Sequence, residues 1–390
     1  MTMSNLKISL LFLCISLSVY SQKVDVEYKT MVADPDWDKE RGRDISAMEL
    51  SPDKKTLVIA TSQGPLLVWN VATEKMIKKI DIDGYGAGPR VEYGRNGKYL
   101  LLQKTYYTDN NLNKDRTSKI DIIDIESGKV IFNKPAVHDA TLSYDCKYVL
   151  TLAGPSVEIY DVVSGNLVRS IPVEEATNAV AISNDGKTVA VSHKLRKDDI
   201  ADIPSIRDDK KTIKAVLKFR QGISFYDFSS GKRMKTCSDI FDAVYSMRYT
   251  EDGKRILVYN VANTKLQAGN EAGGRQGYVS QIDAVTGEVL RTIVPSQISE
   301  PDYKESPNNK YLGVSSAEIG VGKFLARLVP TVLIYDIETG DMIHKFEVNL
   351  GYFKDKAMIT GTPMAFVFLP DNNTIWLNYG GKIAVWTLPK

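Results

Sequence analysis

Apolar and polar residues alternate with a period of two along most of this chain, in short runs broken by polar turns. That period puts alternate side chains on opposite faces of an extended strand, so the runs predict β-strands. One phrase recurs six times: LLVWNVATEKMIKKI (66–80), IDIIDIESGKVIF (120–132), VEIYDVVSGNLVRSI (157–171), ISFYDFSSGKRMKTC (223–237), VSQIDAVTGEVLRTI (279–293) and VLIYDIETGDMIHKF (332–346). Each reads as two alternating strands joined by D-x-x-[ST]-G, in which the Asp and Ser/Thr side chains satisfy turn N–H groups and Gly supplies a positive φ. The first copy has Glu74 in place of that Gly, which costs on the order of 1 kcal/mol of backbone strain if the turn is kept.

A second phrase precedes each of these: LSPDKKTLVIA (50–60), YGRNGKYLLLQ (93–103), LSYDCKYVLTL (142–152), ISNDGKTVAVS (182–192), YTEDGKRILVY (249–259) and ESPNNKYLGVS (305–315). A seventh copy, LPDNNTIWLNY (369–379), leads into KIAVWTL (382–388), where the sequence given stops. Each copy is a polar turn followed by a strand, so each unit contributes four strands in the order a, turn, b, loop, c, turn, d. Seven units of roughly 53 residues result, the last without a fourth strand. Residues 23–32, KVDVEYKTMV, alternate in the same way and offer the missing strand from the other end of the chain. The predicted fold is all-β: a seven-bladed β-propeller over residues 22–390 whose N-terminal strand closes the last blade and removes an open sheet edge.

The S-P-D-G-K-like turns and the strands ending in Tyr-Asp or Trp-Asn resemble the WD-repeat and YVTN-type bacterial β-propeller families, over nearly all of residues 23–390. The resemblance implies the propeller fold and names no ligand. No unit has Trp-Asp at strand c, and the Gly-His opening of eukaryotic WD repeats is absent, so the plainer bacterial propeller is the nearer pattern.

In such a ring the a–b and c–d turns share one face, and the b–c and d–a loops share the other. The insertions fall on the second face: 104–119, 193–221, 260–277 and 316–331 between strands b and c, and 351–364 between d and a. Long loops on a rigid scaffold are where binding surfaces usually lie. The insertion at 193–221 carries nine Lys/Arg against five Asp/Glu, with Ile206, Ile213 and Leu217 near helical spacing. Arg196, Lys197, Lys210 and Lys211 are the basic candidates for docking an acidic protein; the blander reading is a solvated flap over a blade edge. Tyr106, Tyr107, Tyr278, Tyr352 and Phe353 are candidate aromatic anchors, or side chains packed on the scaffold.

Composition narrows the partners. Formal net charge is +2 with acids and bases interleaved, which lacks the basic footprint of a nucleic-acid binder. Residues 1–21, with Lys7, an apolar run over 8–19 and Val19-Tyr20-Ser21, have the shape of a secretory signal peptide, predicting a mature chain from Gln22 in the periplasm or outside the cell. No later run reaches the length of a membrane-spanning helix. A monomer is expected. Cys146 and Cys237 fall on opposite faces of the ring, which predicts two free thiols.

Catalytic motifs are sparse. Gly186-Lys187-Thr188 lacks the upstream Gly and following helix of a phosphate loop, and DGYGAGP (83–89) has no helix after it. His138, His193 and His344 are placed too far apart for a three-His metal site. Asp34, Asp36, Asp38 and Glu40 offer closely spaced oxygens without the Gly of a calcium loop. No metal or cofactor is expected. The inner strands leave one alternative site, at the channel mouth: Glu49, Arg90, Glu92, Asp139, Arg248 and Asp302. A hydrolase or lyase of lactonase type would need these groups to converge, whereas a water-filled channel would simply be lined by them. The principal reading is an exported, non-catalytic propeller that binds a protein through its inserted loops, with glycan binding by loop aromatics as a further alternative.

Overall fold

A computed structural model of the protein describes residues 31–32, 45–61, 65–82, 90–107, 116–204, 206, 209–261, 277–293, 302–321, 326–347, 364–379 and 382–389. They form seven four-stranded antiparallel sheets, the blades of a propeller. The innermost strands of blades 1 to 7 are Ile45–Leu50, Arg90–Tyr93, Asp139–Leu142, Ala176–Ile182, Ala243–Tyr249, Tyr303–Glu305 and Phe366–Phe368. In the first six blades the strands follow chain order outward. In blade 7 the outermost strand is Met31–Val32, with Met31 opposite Ile383 and Val32 opposite Lys382. The two chain ends thus share one sheet.

The alternating strands bury both faces because each blade packs against two others. Seven apolar clusters fill the seven blade interfaces. Between blades 7 and 1, for instance, Ile45, Met48 and Leu57 meet Val367 and Trp376, and between blades 6 and 7 Val332 and Phe346 meet Phe366 and Trp386. Gly313 is needed at that second interface, since a Cβ there would lie 2.4 Å from the Phe366 ring.

The turns follow their chemistry. In the c–d turns Asp124, Asp161, Asp227, Asp283 and Asp336 each accept from the backbone N–H three residues on, and Asn70 does the same in blade 1. Gly128, Gly165, Gly231, Gly287 and Gly340 follow with φ of 69° to 78°, and Glu74 takes φ 55° in blade 1. In the a–b turns one left-handed residue recurs per blade: Lys54, Gly97, Cys146, Gly186, Gly253, Asn309 and Asn372.

Three insertions differ from plain loops. In blade 2 strands Tyr99–Tyr107 and Arg116–Asp124 stay paired out to Tyr107 opposite Arg116. In blade 6 strands Tyr311–Val321 and Ala326–Asp336 stay paired to Val321 opposite Ala326. Their b and c strands simply run on past the blade. The blade 4 insertion instead folds into a short 3-10 helix, Lys197–Asp202, and helix α1, Lys210–Phe219. Asp209 caps α1 by accepting from the N–H groups of Lys211 and Thr212. Leu195, Ile200, Ile203, Ile206 and Val216 form a separate small core under it. Segments 260–277 and 351–364, DGYGAGP, and Asp34 to Glu40 lie wholly or mostly outside the described residues, as do residues 1–21.

Cys146 and Cys237 are free and buried, as their placement on opposite faces predicts. Among the described residues no three acids, histidines or cysteines gather as a metal site, and no helix is long and apolar enough to cross a membrane.

Candidate functional site

Two regions carry chemistry: the blade 4 insertion, and the axial space between the inner strands.

The insertion is fastened by a buried polar cluster. Asp199, fully buried, accepts from the backbone N–H of Arg196 at 2.8 Å and from its guanidinium Nη2 at 3.2 Å. Arg233, from the outer strand of blade 4, reaches the same carboxylate at 2.6 Å. Burial alone would raise the Asp199 carboxyl, but the Arg196 hydrogen bonds outweigh it and hold it below its usual range. His193, also fully buried, sits between the Lys194 carbonyl, 2.8 Å from Nδ1, and the Ser224 hydroxyl, 2.7 Å from Nε2. Only the Nδ1–H tautomer can donate to that carbonyl, so Nε2 accepts from Ser224 when the ring is neutral. Burial pushes His193 down, favouring the neutral form. Asp199 lies 3.7 Å from Nδ1, beyond hydrogen-bond reach, and Ser224 is sealed from solvent. The Ser-His-Asp sequence of contacts is therefore a packed network sealed from solvent.

In the same insertion α1 presents Lys210, Lys211, Lys214 and Lys218, all exposed, on the side away from buried Val216. At 100° per residue the four fall within one quadrant-sized arc. Lys197, at the start of the 3-10 helix, is exposed as well. Arg196 plays a different part from these lysines: its guanidinium joins Asp199 and also Glu174, at 3.1 Å. The Tyr278 hydroxyl donates to Asp242 at 2.8 Å, and Arg220 pairs with the same carboxylate, so this ring pins the end of the insertion to blade 5. Tyr106 and Tyr107 lie in the extended strand of blade 2, their side chains outside the described set; Tyr352 and Phe353 lie wholly outside it.

In the axial space the six channel-mouth residues fall into linked groups. Arg90 binds Asp139 at 2.6 Å and Glu92 at 2.8 Å, joining blades 2 and 3. The second Asp139 oxygen accepts from the Val180 N–H of blade 4 at 2.8 Å. Burial pushes Asp139 up to about 6 against the pull of Arg90. Lys304 of blade 6 pairs with Glu49 of blade 1, and lies 3.7 Å from Asp302. Burial alone would lower Lys304, yet Asp302 and Glu49 together hold it above its ordinary value. The Arg248 guanidinium lies over the Tyr303 ring, 4.5 Å from its centroid, and the Tyr303 hydroxyl meets Ser246 at 3.1 Å.

Blades 1 and 6, and still more blades 2 and 5, are not neighbours, so contacts between them span the axis. Arg95 and Glu251 do so at 3.6 Å, and Lys54 donates to the Pro307 carbonyl at 3.4 Å. All four belong to the a–b turns or border them, so the axial space is bridged at its turn end. The side chains of Arg90, Glu92 and Asp302 remain 28%, 29% and 31% exposed.

Sequence reasoning singled out six charged members of this well but not Lys304, Arg95 or Glu251, nor Tyr303, whose role depends on a neighbour from another blade. Asp199 and Arg233 were equally hidden, being acid and base in separate phrases with no local pattern. Lys304 shares the register of Glu49 and Arg248 on its inner strand, which is the signal that could have found it.

No protein-family model matches the chain, and no curated protein matches it in sequence. The fold defines its class: a seven-bladed β-propeller.

Proposed function

We propose that the protein is an exported propeller of the WD-repeat and YVTN-type kind that serves as a protein-binding scaffold in the cell envelope, docking an acidic partner on the blade 4 insertion. The observation that carries this is α1: four exposed lysines on one side of a helix within an insertion that has its own core and whose 3-10 helix is tied to the blade by Asp199, held between Arg196 and Arg233. A solvated flap needs no such fastening. A rigid basic surface loses little conformational freedom on docking and steers an acidic partner by long-range attraction. Export rests on the signal-like residues 1–21. Lys197 adds an exposed cation elsewhere in the insertion, whereas Arg196 is held by Asp199 and Glu174.

The test is affinity capture from envelope extract with purified protein and with a Lys210→Glu, Lys211→Glu, Lys214→Glu variant. Partners held by the first bait at low salt, released as salt rises and absent from the second, are expected. Identical captures from both baits would refute docking on α1.

A further inference from the structure

His193 lies at the end of strand Thr188–Lys194, where the chain enters the blade 4 insertion, and its hydrogen bonds run in one direction. Arg233 donates to the Thr236 hydroxyl, Thr236 lies 3.0 Å from the Ser224 hydroxyl, and Ser224 lies 2.7 Å from Nε2 of the ring. Nδ1 is 2.8 Å from the Lys194 carbonyl oxygen. With a neutral ring every hydrogen finds an acceptor: Thr236 donates to Ser224, Ser224 to Nε2, and Nδ1–H to the carbonyl. A proton on Nε2 breaks this chain. Nε2 must then donate to Ser224, and among the described residues the hydroxyl hydrogen of either Ser224 or Thr236 is left without an acceptor, in groups that are both buried.

The surrounding charges are already matched without the imidazolium. Arg196 and Arg233 both contact Asp199, and Glu174 meets Arg196 at 3.1 Å, so two cations face two anions. Asp199 is 3.7 Å from Nδ1, whose hydrogen is committed to the carbonyl. Of the other titratable groups nearby, Tyr226 on strand Gln221–Asp227 is kept as the neutral phenol by burial, and the Lys194 ammonium turns outward to Glu175 at 3.0 Å. The ring is closely packed as well. A Cβ on Gly222, its partner across the strands, would lie 3.2 Å from the ring Cε1 and 2.8 Å from Leu195 Cδ2. Burial accordingly holds His193 below its ordinary value. An opened insertion, in which the ring is solvated, takes up a proton that the closed one refuses, so opening becomes more favourable as pH falls below about 6.5.

We propose that the blade 4 insertion is held by an acid-labile latch, in which protonation of His193 loosens residues 195–220 while the propeller strands stay closed. The latch stands whether or not α1 docks a protein. Asp199, held below its usual range, keeps its charge through the window that matters. Hydrogen exchange of the full chain by mass spectrometry, at pH values from about 7 to about 5 and corrected for the intrinsic rate at each, tests it. Uptake of one proton per opening predicts that exchange within 195–220 speeds up by as much as about tenfold per pH unit below about 6.5. Strand Thr374–Tyr379 of blade 7 should show no such change. His193→Gln, whose amide oxygen can accept from Ser224 and does not titrate, should lose the acid response. If that variant alters the melting profile, the imidazole titration of His193 in the native protein, followed by NMR, decides instead, with a midpoint below about 6.5 expected. Protection of 195–220 that ignores pH, an equal loss in the blade 7 strand, an acid response kept by a folded His193→Gln, or a midpoint at or above about 6.5 would overturn the latch.

Discussion

At the scale of single residues, one left-handed position per turn and one buried carboxylate show how position fixes behaviour. Cys146 occupies the φ 58° site that Gly fills in three other blades, yet its thiol is buried, with Sγ 2.7 Å from where a Cβ on Gly94 would stand. Asp227, in a turn, behaves oppositely to Asp139 in the channel. Hydrogen bonds from Ser230 and Ser229 lower Asp227 to about 2, while burial lifts Asp139 to about 6. The sign of the pH effect follows. Between about 4 and 6 folded Asp139 keeps a proton that the unfolded chain has released, so this group makes folding less favourable as pH rises through that window. The stability of the native protein relative to Asp139→Asn, from urea midpoints, should therefore fall between pH values of about 4 and 6 and level off above. A relative stability that grew with pH would mean that Arg90 attraction outweighs burial.

At the scale of elements, the strands were legible because each needs only its own alternation and a turn whose side chains bond locally. Asp283 and Thr286, for example, close their turn within one phrase. The extra strand length in blades 2 and 6 was less visible, since KTYY and RTSK are polar enough to pass for loop while their backbones pair. The insertion was read for charge, and its basic lysines are exposed as such a reading requires; its fastening depends on Asp199 meeting Arg233, 34 positions away in the numbering. Removing that carboxylate leaves two guanidinium groups facing each other. Asp199→Asn should make residues 195–220 cleavable by limited proteolysis, while the propeller strands stay protected. Equal resistance in both proteins would show that the small apolar core alone holds the insertion.

At the scale of the whole molecule, a ring is stabilised by closure. The final sheet takes its fourth strand from the other end of the chain, and apolar clusters at both of blade 7's interfaces complete the circle. Deleting residues 22–33 leaves that blade with three strands and an exposed edge, so a lower melting temperature is expected. An unchanged melting temperature would mean that side-chain packing between blades suffices. The sequence by itself determined the strands, their turns, the number of blades and the closing strand, because period, turn chemistry and repeat length are local properties that recur. Only the tertiary structure decided which charges meet. Glu49 and Lys304, Arg90 and Asp139, and Arg248 and Tyr303 come from different blades, and their pairing depends on where the ring brings each inner strand relative to the axis. Contacts across a closed ring join residues far apart in the chain, and no local pattern encodes them.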